Sequence, residues 1–131
     1  KKIFIKNRIL TPKYIKYSFN KSKSELKKII KNKLGFPVVI KPINEGSSVN
    51  VFICNSSDIN NKLSMLKMYK EILIEKFIPG REIQSAILGK KKLGAIELRP
   101  KRKFYDYQAK YNTKAKTEHI IPVNLTKKKI Q

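Results

Sequence analysis

Gly35-Phe36-Pro37-Val38-Val39-Ile40-Lys41-Pro42-Ile43-Asn44-Glu45-Gly46-Ser47-Ser48-Val49-Asn50 is the stretch around which the rest of the chain is organised. Its first half reads as a buried strand over 37–41, a branched apolar run closed by a lysine. A turn follows, then a small Gly-Ser-Ser loop, then a second strand over 49–54. Glycine lets a backbone N–H come close to a phosphate, and two serine hydroxyls add donors. A lysine ammonium about 4 Å from a phosphate charge interacts by roughly 4 kcal/mol at an effective dielectric near 20. The same residues also read as a polar hairpin turn in which Lys41 merely snorkels. No G-x-x-x-x-G-K-[ST] occurs, so this is not a Walker loop. The stretch alone identifies no function.

Upstream of it, residues 2–9 read as the end of a helix that Pro12 stops, and an extended segment runs from Thr11 through Tyr17. Ser22-Lys23-Ser24-Glu25 has the form of a capping box, with Ser22 as N-cap. The helix it opens runs to about Lys33, with Leu26, Ile29, Ile30 and Leu34 at helical spacing and Gly35 as its stop. Downstream, Ser57-Asp58 caps a helix over 58–69 with Ile59, Leu63, Leu66 and Met68 buried. A strand over 71–78 follows and Pro79-Gly80 breaks it. Beyond the break, strands over 83–88 and 93–98 flank Gly89-Lys90, a tight hairpin signal. Residues 100–119 read as a long loop, closed by Ile120-Ile121-Pro122-Val123, and a helix begins near Thr126. The fold class is therefore α+β. A first subdomain covers 1–78, and the start of a mainly antiparallel second one covers 79–131.

Length and composition narrow the classes. The chain has 131 residues, enough for one domain or for a piece of something larger. Because it opens on Lys1 and stops at Gln131 within a Leu-Thr-Lys-Lys-Lys-Ile run, the piece is the expectation. No apolar run approaches the ~20 residues of a bilayer span and no signal-peptide pattern occurs, so no membrane partner is expected. The single cysteine, Cys54, has no internal partner and reads as a core residue in a reduced, cytoplasmic setting. The formal charge of +22 would suit a polyanion. Yet the lysines are scattered among Ile and Asn, as in an AT-rich genome, without the arginine and exposed aromatics that mark base stacking. A basic nucleic-acid-binding module is the alternative from another class, and salt-sensitive binding of generic DNA would support it.

Two further constellations carry possible chemistry. Glu75-Lys76-Phe77-Ile78 ends a strand at a joint, where backbone groups can pair with a purine edge, and Glu82 just past the turn could accept from ribose hydroxyls. Plain surface carboxylates balancing lysines would look the same. Phe104-Tyr105-Asp106-Tyr107-Gln108-Ala109-Lys110-Tyr111 puts four aromatics into eight residues of expected loop. Such a cluster either packs on its own core or forms a lid that carries Lys110 and Tyr111 into a site. His119 reads as a surface residue.

Taken together in order, these stretches resemble the D-alanine–D-alanine ligases of the ATP-grasp superfamily. The similarity rests on Thr11-Pro12-Lys13-Tyr14, Gly35-Phe36-Pro37-Val38-Val39-Ile40-Lys41-Pro42, Glu45-Gly46-Ser47-Ser48-Val49, Ile74-Glu75-Lys76-Phe77-Ile78-Pro79-Gly80-Arg81-Glu82 and the 104–111 motif. It implies an ATP-grasp fragment in which a small α/β subdomain is followed by the start of a subdomain with a long lid. It also implies roles. Lys41 contacts the nucleotide, and Gly46, Ser47 and Ser48 form the phosphate-covering loop. Glu75, Lys76, Phe77 and Ile78 hold adenine, and Glu82 holds the ribose. Lys110 reaches the transferred phosphate. Ser47 and Tyr111 bond each other and close the D-alanine pocket, with Phe104, Tyr105 and Tyr107 in the lid.

The implied cofactors are ATP and Mg2+, the implied partner is D-alanine, and the intact enzyme is expected to be a homodimer. No metal ligand is expected within the chain. The acidic residues and asparagine for magnesium, with an arginine, belong beyond Gln131, and the glutamate for the first D-alanine and another ATP lysine belong before Lys1. The piece alone is expected to be inactive. Two positions depart from the family pattern: Asn50 replaces a glycine, and Gln108 replaces a glutamate. Another ATP-grasp carboxylate–amine ligase, such as one forming D-alanyl–D-lactate, is the nearer alternative, and Tyr111 disfavours the D-lactate form.

Overall fold

The computed structural model describes residues 1–20, 22–101, 110–112 and 116–125. Two compact units follow one another, Lys1–Ile78 and Pro79–Gln131.

The first unit contains α1 (Lys2–Lys6), β1 (Tyr14–Ser18), α2 (Lys23–Lys33), β2 (Val38–Pro42), β3 (Phe52–Cys54), α3 (Ile59–Met65) and β4 (Glu71–Lys76). Its sheet has the order β1-β4-β2-β3, with every pair antiparallel. Period-two alternation sends Val38 and Ile40 of β2, and Ile72 and Ile74 of β4, to one face. There they join Leu26, Ile30 and Leu34 of the α2 region and Ile59, Leu63 and Leu66 of the α3 region in a single core. Ile30, Ile40, Ile59, Leu63, Leu66, Ile72 and Ile74 are all 0% exposed. Each such side chain contributes about 1.5–3 kcal/mol by leaving water. α2 and α3 lie against this face, and the opposite face of β1, β4 and β2 carries Lys16, Lys41, Glu71 and Glu75 beside Val39 and Leu73.

Several boundaries differ from the sequence expectation, for local reasons. The helix at the start covers only Lys2–Lys6. Ser22 is the N-cap of α2, but no side-chain cap bond forms, because its hydroxyl pairs with Ser24 Oγ at 2.9 Å. At the other end Gly35 does stop α2. Its φ of 72° is left-handed and its N–H reaches Ile30 O at 2.9 Å, a conformation glycine adopts without a Cβ penalty. The strand expected over 49–54 shortens to Phe52–Cys54, since Asn50 at φ 53° cannot sit in an extended ladder.

The helix expected over 58–69 ends at Met65. Leu66 and Lys67 N–H groups bond the carbonyls three residues back, at 3.1 and 3.4 Å, which tightens the chain into a turn. That turn carries Met68 outward, 79% exposed instead of buried, and brings Tyr69 against the core in its place. Asp58 caps without its side chain and instead accepts from Asn55 N–H at 2.7 Å.

The second unit is a sheet of β5 (Glu82–Leu88), β6 (Lys91–Arg99) and β7 (Glu118–Ile120) in that order, all antiparallel. Gly89-Lys90 forms the β5–β6 turn, with Gly89 at φ 58°. β7 was not expected: the 100–119 loop gives up its last residues to pair Leu98 with His119 and Glu97 with Ile120. An unpaired strand edge recruits such a partner, because its N–H and C=O groups otherwise stay unmatched. His119 is exposed. Phe104, Tyr105, Tyr107 and Gln108, and the helix expected near Thr126, lie outside the described residues. Among the described residues no helix is long and apolar enough to cross a membrane.

Candidate functional site

On the face of the first sheet opposite α2 and α3, β2 and β4 are registered with Val39 opposite Glu75 and Lys41 opposite Leu73. Lys41 and Glu75 are thus diagonal neighbours on one face, within reach of a long side chain. Lys41 Nζ lies 3.0 Å from Glu75 Oε2. Glu75 is only 7% exposed, and a carboxylate so placed needs compensating charge. A second ammonium supplies it, with Lys1 Nζ 3.1 Å from Oε1. Lys1 is itself held, donating to Thr11 Oγ1 at 2.6 Å and Pro12 O at 3.1 Å and lying 5.4 Å above the Tyr14 ring centroid. The Lys1 contact with Oε1 is an ion pair without hydrogen-bond geometry, and Oε1 has no hydrogen bond among the described residues. Lys1 was missed from the sequence, where nothing in a leading Lys-Lys pair signals a buried partner 74 positions away.

The loop joining β2 to β3 starts directly beyond Lys41 and Pro42. Ser47, Ser48 and Asn50 have φ of 51°, 62° and 53°, left-handed conformations that cost about 1 kcal/mol or more for each non-glycine residue. Asparagine accepts this conformation best. Val49 N–H closes a turn onto Gly46 O at 3.0 Å. Two long-range bonds hold the loop. Asn50 Nδ2 donates to Tyr69 Oη at 2.7 Å, and Tyr69 Oη donates to Glu45 Oε1 at 3.2 Å. Gly46 and Ser47 are exposed and Ser48 is half-buried.

At the end of β4 the strand-end backbone is partly engaged. Lys76 N–H bonds Lys13 O at 2.9 Å and Phe77 N–H bonds Pro37 O at 3.3 Å. Phe77 is half-buried and Ile78 is 59% exposed.

The second unit places Glu82 at the start of β5. Desolvation pushes its carboxyl above the usual range, and the positive charge of Lys110 opposes that rise. The structure therefore brings Glu82 and Lys110 into electrostatic reach of each other. Tyr111, next to Lys110 in a helical turn, is 59% exposed. A neighbouring cluster was not read from the sequence. Arg81 binds both carboxylate oxygens of Glu97, and its third nitrogen reaches Asn124 O at 2.9 Å. Arg99 adds a contact to Glu97 Oε1 at 3.3 Å. Glu97 is 3% exposed. Its carboxyl is held below the usual range, chiefly by the Arg81 hydrogen bond. An acidic residue in an otherwise apolar strand pattern, 16 positions from an arginine, was the available signal.

Among the described residues no group of three or more His, Cys, Asp or Glu could hold a metal ion. Cys54 is 0% exposed, and burial pushes its thiol up to about 12. A thiol so buried is inert, not nucleophilic.

Comparison with known proteins gives a consistent result. Residues 9–131 match the family described as D-ala D-ala ligase C-terminus. Over 127 residues the chain is 65% identical to the D-alanine–D-alanine ligase of Pelagibacter ubique, covering 97% of this chain and 42% of that protein. A crystal structure of the D-alanine–D-alanine ligase from Bacillus anthracis aligns with a TM-score of 0.70 at 34% identity, over 95% of this chain and 40% of that one. A Bacillus anthracis ligase structure complexed with ATP aligns with a TM-score of 0.63 at 27% identity, over 95% and 38%. The chain spans about two-fifths of the length of these relatives. The matched residues, the α+β architecture and the ATP-grasp likeness agree: the chain belongs to the D-alanine–D-alanine ligase C-terminal family.

Proposed function

We propose that this chain is the nucleotide-binding segment of an ATP-dependent ligase that joins two D-alanines for peptidoglycan precursor synthesis. The observation that carries the reading is the Lys41–Glu75 pair on the sheet face opposite α2 and α3, followed within a few residues by a Gly-Ser-Ser loop whose two serines are left-handed. An ammonium, a loop of exposed backbone and hydroxyl donors, and a carboxylate are the groups a nucleoside triphosphate calls for. The relatives are named as D-alanine–D-alanine ligases, and one was crystallised with ATP.

In this reading Lys41 neutralises phosphate charge, while Gly46, Ser47 and Ser48 cover the phosphates. Glu75, Lys76, Phe77 and Ile78 receive the adenine. Since the N–H groups of Lys76 and Phe77 are engaged inside the unit, a base edge seeking an N–H donor meets Ile78. Glu82 accepts from the ribose, and Lys110 reaches the transferred phosphoryl group. Ser47 and Tyr111 close the D-alanine pocket, with Phe104, Tyr105 and Tyr107 in the lid. The carboxylate of one D-alanine takes the γ-phosphoryl group, releasing ADP. The amine of the second then attacks the acyl-phosphate carbon, expelling phosphate. Such chemistry needs mainly positioning and charge neutralisation, and a lid keeps water from the acyl-phosphate.

Magnesium would neutralise phosphate charge further, and its ligands are assigned to the part of the ligase outside this chain. The complete enzyme is placed in the cytoplasm as a homodimer, and the chain alone is assigned no turnover. The test is ADP release by the complete ligase. Release should depend on D-alanine and yield the dipeptide. Release that is equally fast without D-alanine, or a preference for D-lactate as the second substrate, sinks this assignment.

A further inference from the structure

We infer that Tyr69 is a positioning residue that clips the two ends of the Gly-Ser-Ser loop together and holds it ready for a nucleotide phosphate. This rests on the reading of residues 46–49 as the phosphate cover. Tyr69 comes from the turn after α3, far from the loop in sequence, and its ring packs against the core of the first unit. Its backbone is held as well, the N–H bonding Leu66 O at 3.0 Å. From this post the hydroxyl reaches both flanks of the loop at once. It accepts from Asn50 Nδ2 at 2.7 Å and donates to Glu45 Oε1 at 3.2 Å. A phenol has one proton to give and lone pairs to receive, so both bonds can exist together.

The four residues between the flanks are thus cinched at their base by a single rigid side chain. They include Ser47 and Ser48 in left-handed conformations, which persist only where the surroundings over-determine them. The clip supplies that determination before any ligand arrives. Asn50 is the particular feature here. Its backbone tolerates the left-handed φ, and its amide provides the donor that a glycine could not. Exchanging glycine for asparagine at this position replaces backbone freedom with a tether. A loop ordered in advance loses less conformational freedom on binding, so the clip should act on nucleotide affinity. It should not act on the chemical step, because the bound geometry is the same with or without it.

The experiment is steady-state kinetics on the complete ligase, comparing wild type, Tyr69→Phe, Asn50→Gly and the double variant, with Lys41→Ala as a reference. Tyr69→Phe removes one oxygen and keeps the ring, and a thermal midpoint within about 3 °C of wild type verifies the fold. The expected result is a KM for ATP raised about 3- to 10-fold in both single variants, with kcat and the KM for D-alanine unchanged. The double variant should be no worse than either single one, since both cut the same tether. An unchanged KM for ATP in Tyr69→Phe, or effects that multiply in the double variant, overturns the clip. If Lys41→Ala then still weakens ATP binding, the nucleotide site stands and only the clip falls. If Lys41→Ala is also without effect, both readings fall together.

Discussion

Lys41 Nζ and Glu75 Oε2 stand 3.0 Å apart across two neighbouring antiparallel strands, although 34 residues separate them in the chain. The family resemblance implies a nucleotide contact at each position, and the fold makes them contacts of each other. Glu75 is the better buried partner, with 9% of its side chain exposed against 34% for Lys41. The pair therefore presents its cation outward and its anion inward, the orientation that suits an incoming polyphosphate.

Lys41→Ala should lower ATP affinity at least about tenfold, the equivalent of roughly 1.4 kcal/mol, by removing the charge proposed to meet the phosphates. Stability should fall by only about 1 kcal/mol, because the pair is part-exposed and Lys1 still compensates Glu75. Isothermal titration with ATP and a urea melt measure the two effects. Full ATP affinity in the variant would remove Lys41 from the site.

Glu82 is assigned to the ribose, and a sugar-specific readout checks it. Glu82→Ala should weaken ATP by about tenfold, in line with losing a hydrogen bond to a charged group. It should also narrow the difference between ATP and 2′-deoxy-ATP, since the discriminating acceptor is gone. Equal losses for both nucleotides would mean that Glu82 does not contact the 2′-hydroxyl.

Acid should loosen the second unit through Glu97. Its carboxyl is held below the usual range by Arg81 first and Arg99 second. A depressed carboxylate adds stability that is complete above the unfolded value, about 4.3, and is lost as pH falls through the lower folded value. Thermal melts across this window should show wild type losing stability more steeply than Glu97→Gln, which has no such charge to lose. Parallel curves would refute the linkage.

Cys54 should resist alkylation. With its thiol pushed up to about 12 and the residue 0% exposed, almost no accessible thiolate exists at neutral pH. Iodoacetamide should modify the protein only after denaturant opens the core of the first unit. Rapid labelling of the native protein would contradict the buried placement.

Much of this fold was legible because the first unit's signals are local and mutually consistent. Leu26, Ile30 and Leu34 sit at helical spacing before a glycine stop, and the Gly89-Lys90 turn announces a hairpin. The misplaced boundaries arose from local hydrogen bonds that the apolar pattern does not show and, at β7, from a distant strand partner. Met68 continues the apolar period of α3, but the turn at Leu66 and Lys67 gave the buried position to Tyr69. Residues at the end of an expected loop became β7, because the edge of β6 offered hydrogen bonds that no local pattern encodes.

The candidate site divides in the same way. The kinds of group a nucleotide site would use, among them Lys41, Gly46, Ser47, Ser48, Glu75 and Glu82, can be read from side-chain chemistry in linear order. Which of them touch cannot. Strand order β1-β4-β2-β3 decides that Glu75 lies between Lys1 and Lys41, and the turn after α3 decides that Tyr69 reaches both Glu45 and Asn50. Propensity and pattern act over a few residues, so most of the elements, the Gly-Ser-Ser loop and its donors are legible in the chain itself. Charge compensation and the tethering of the loop depend on groups brought together across tens of residues, and only the tertiary structure decided those.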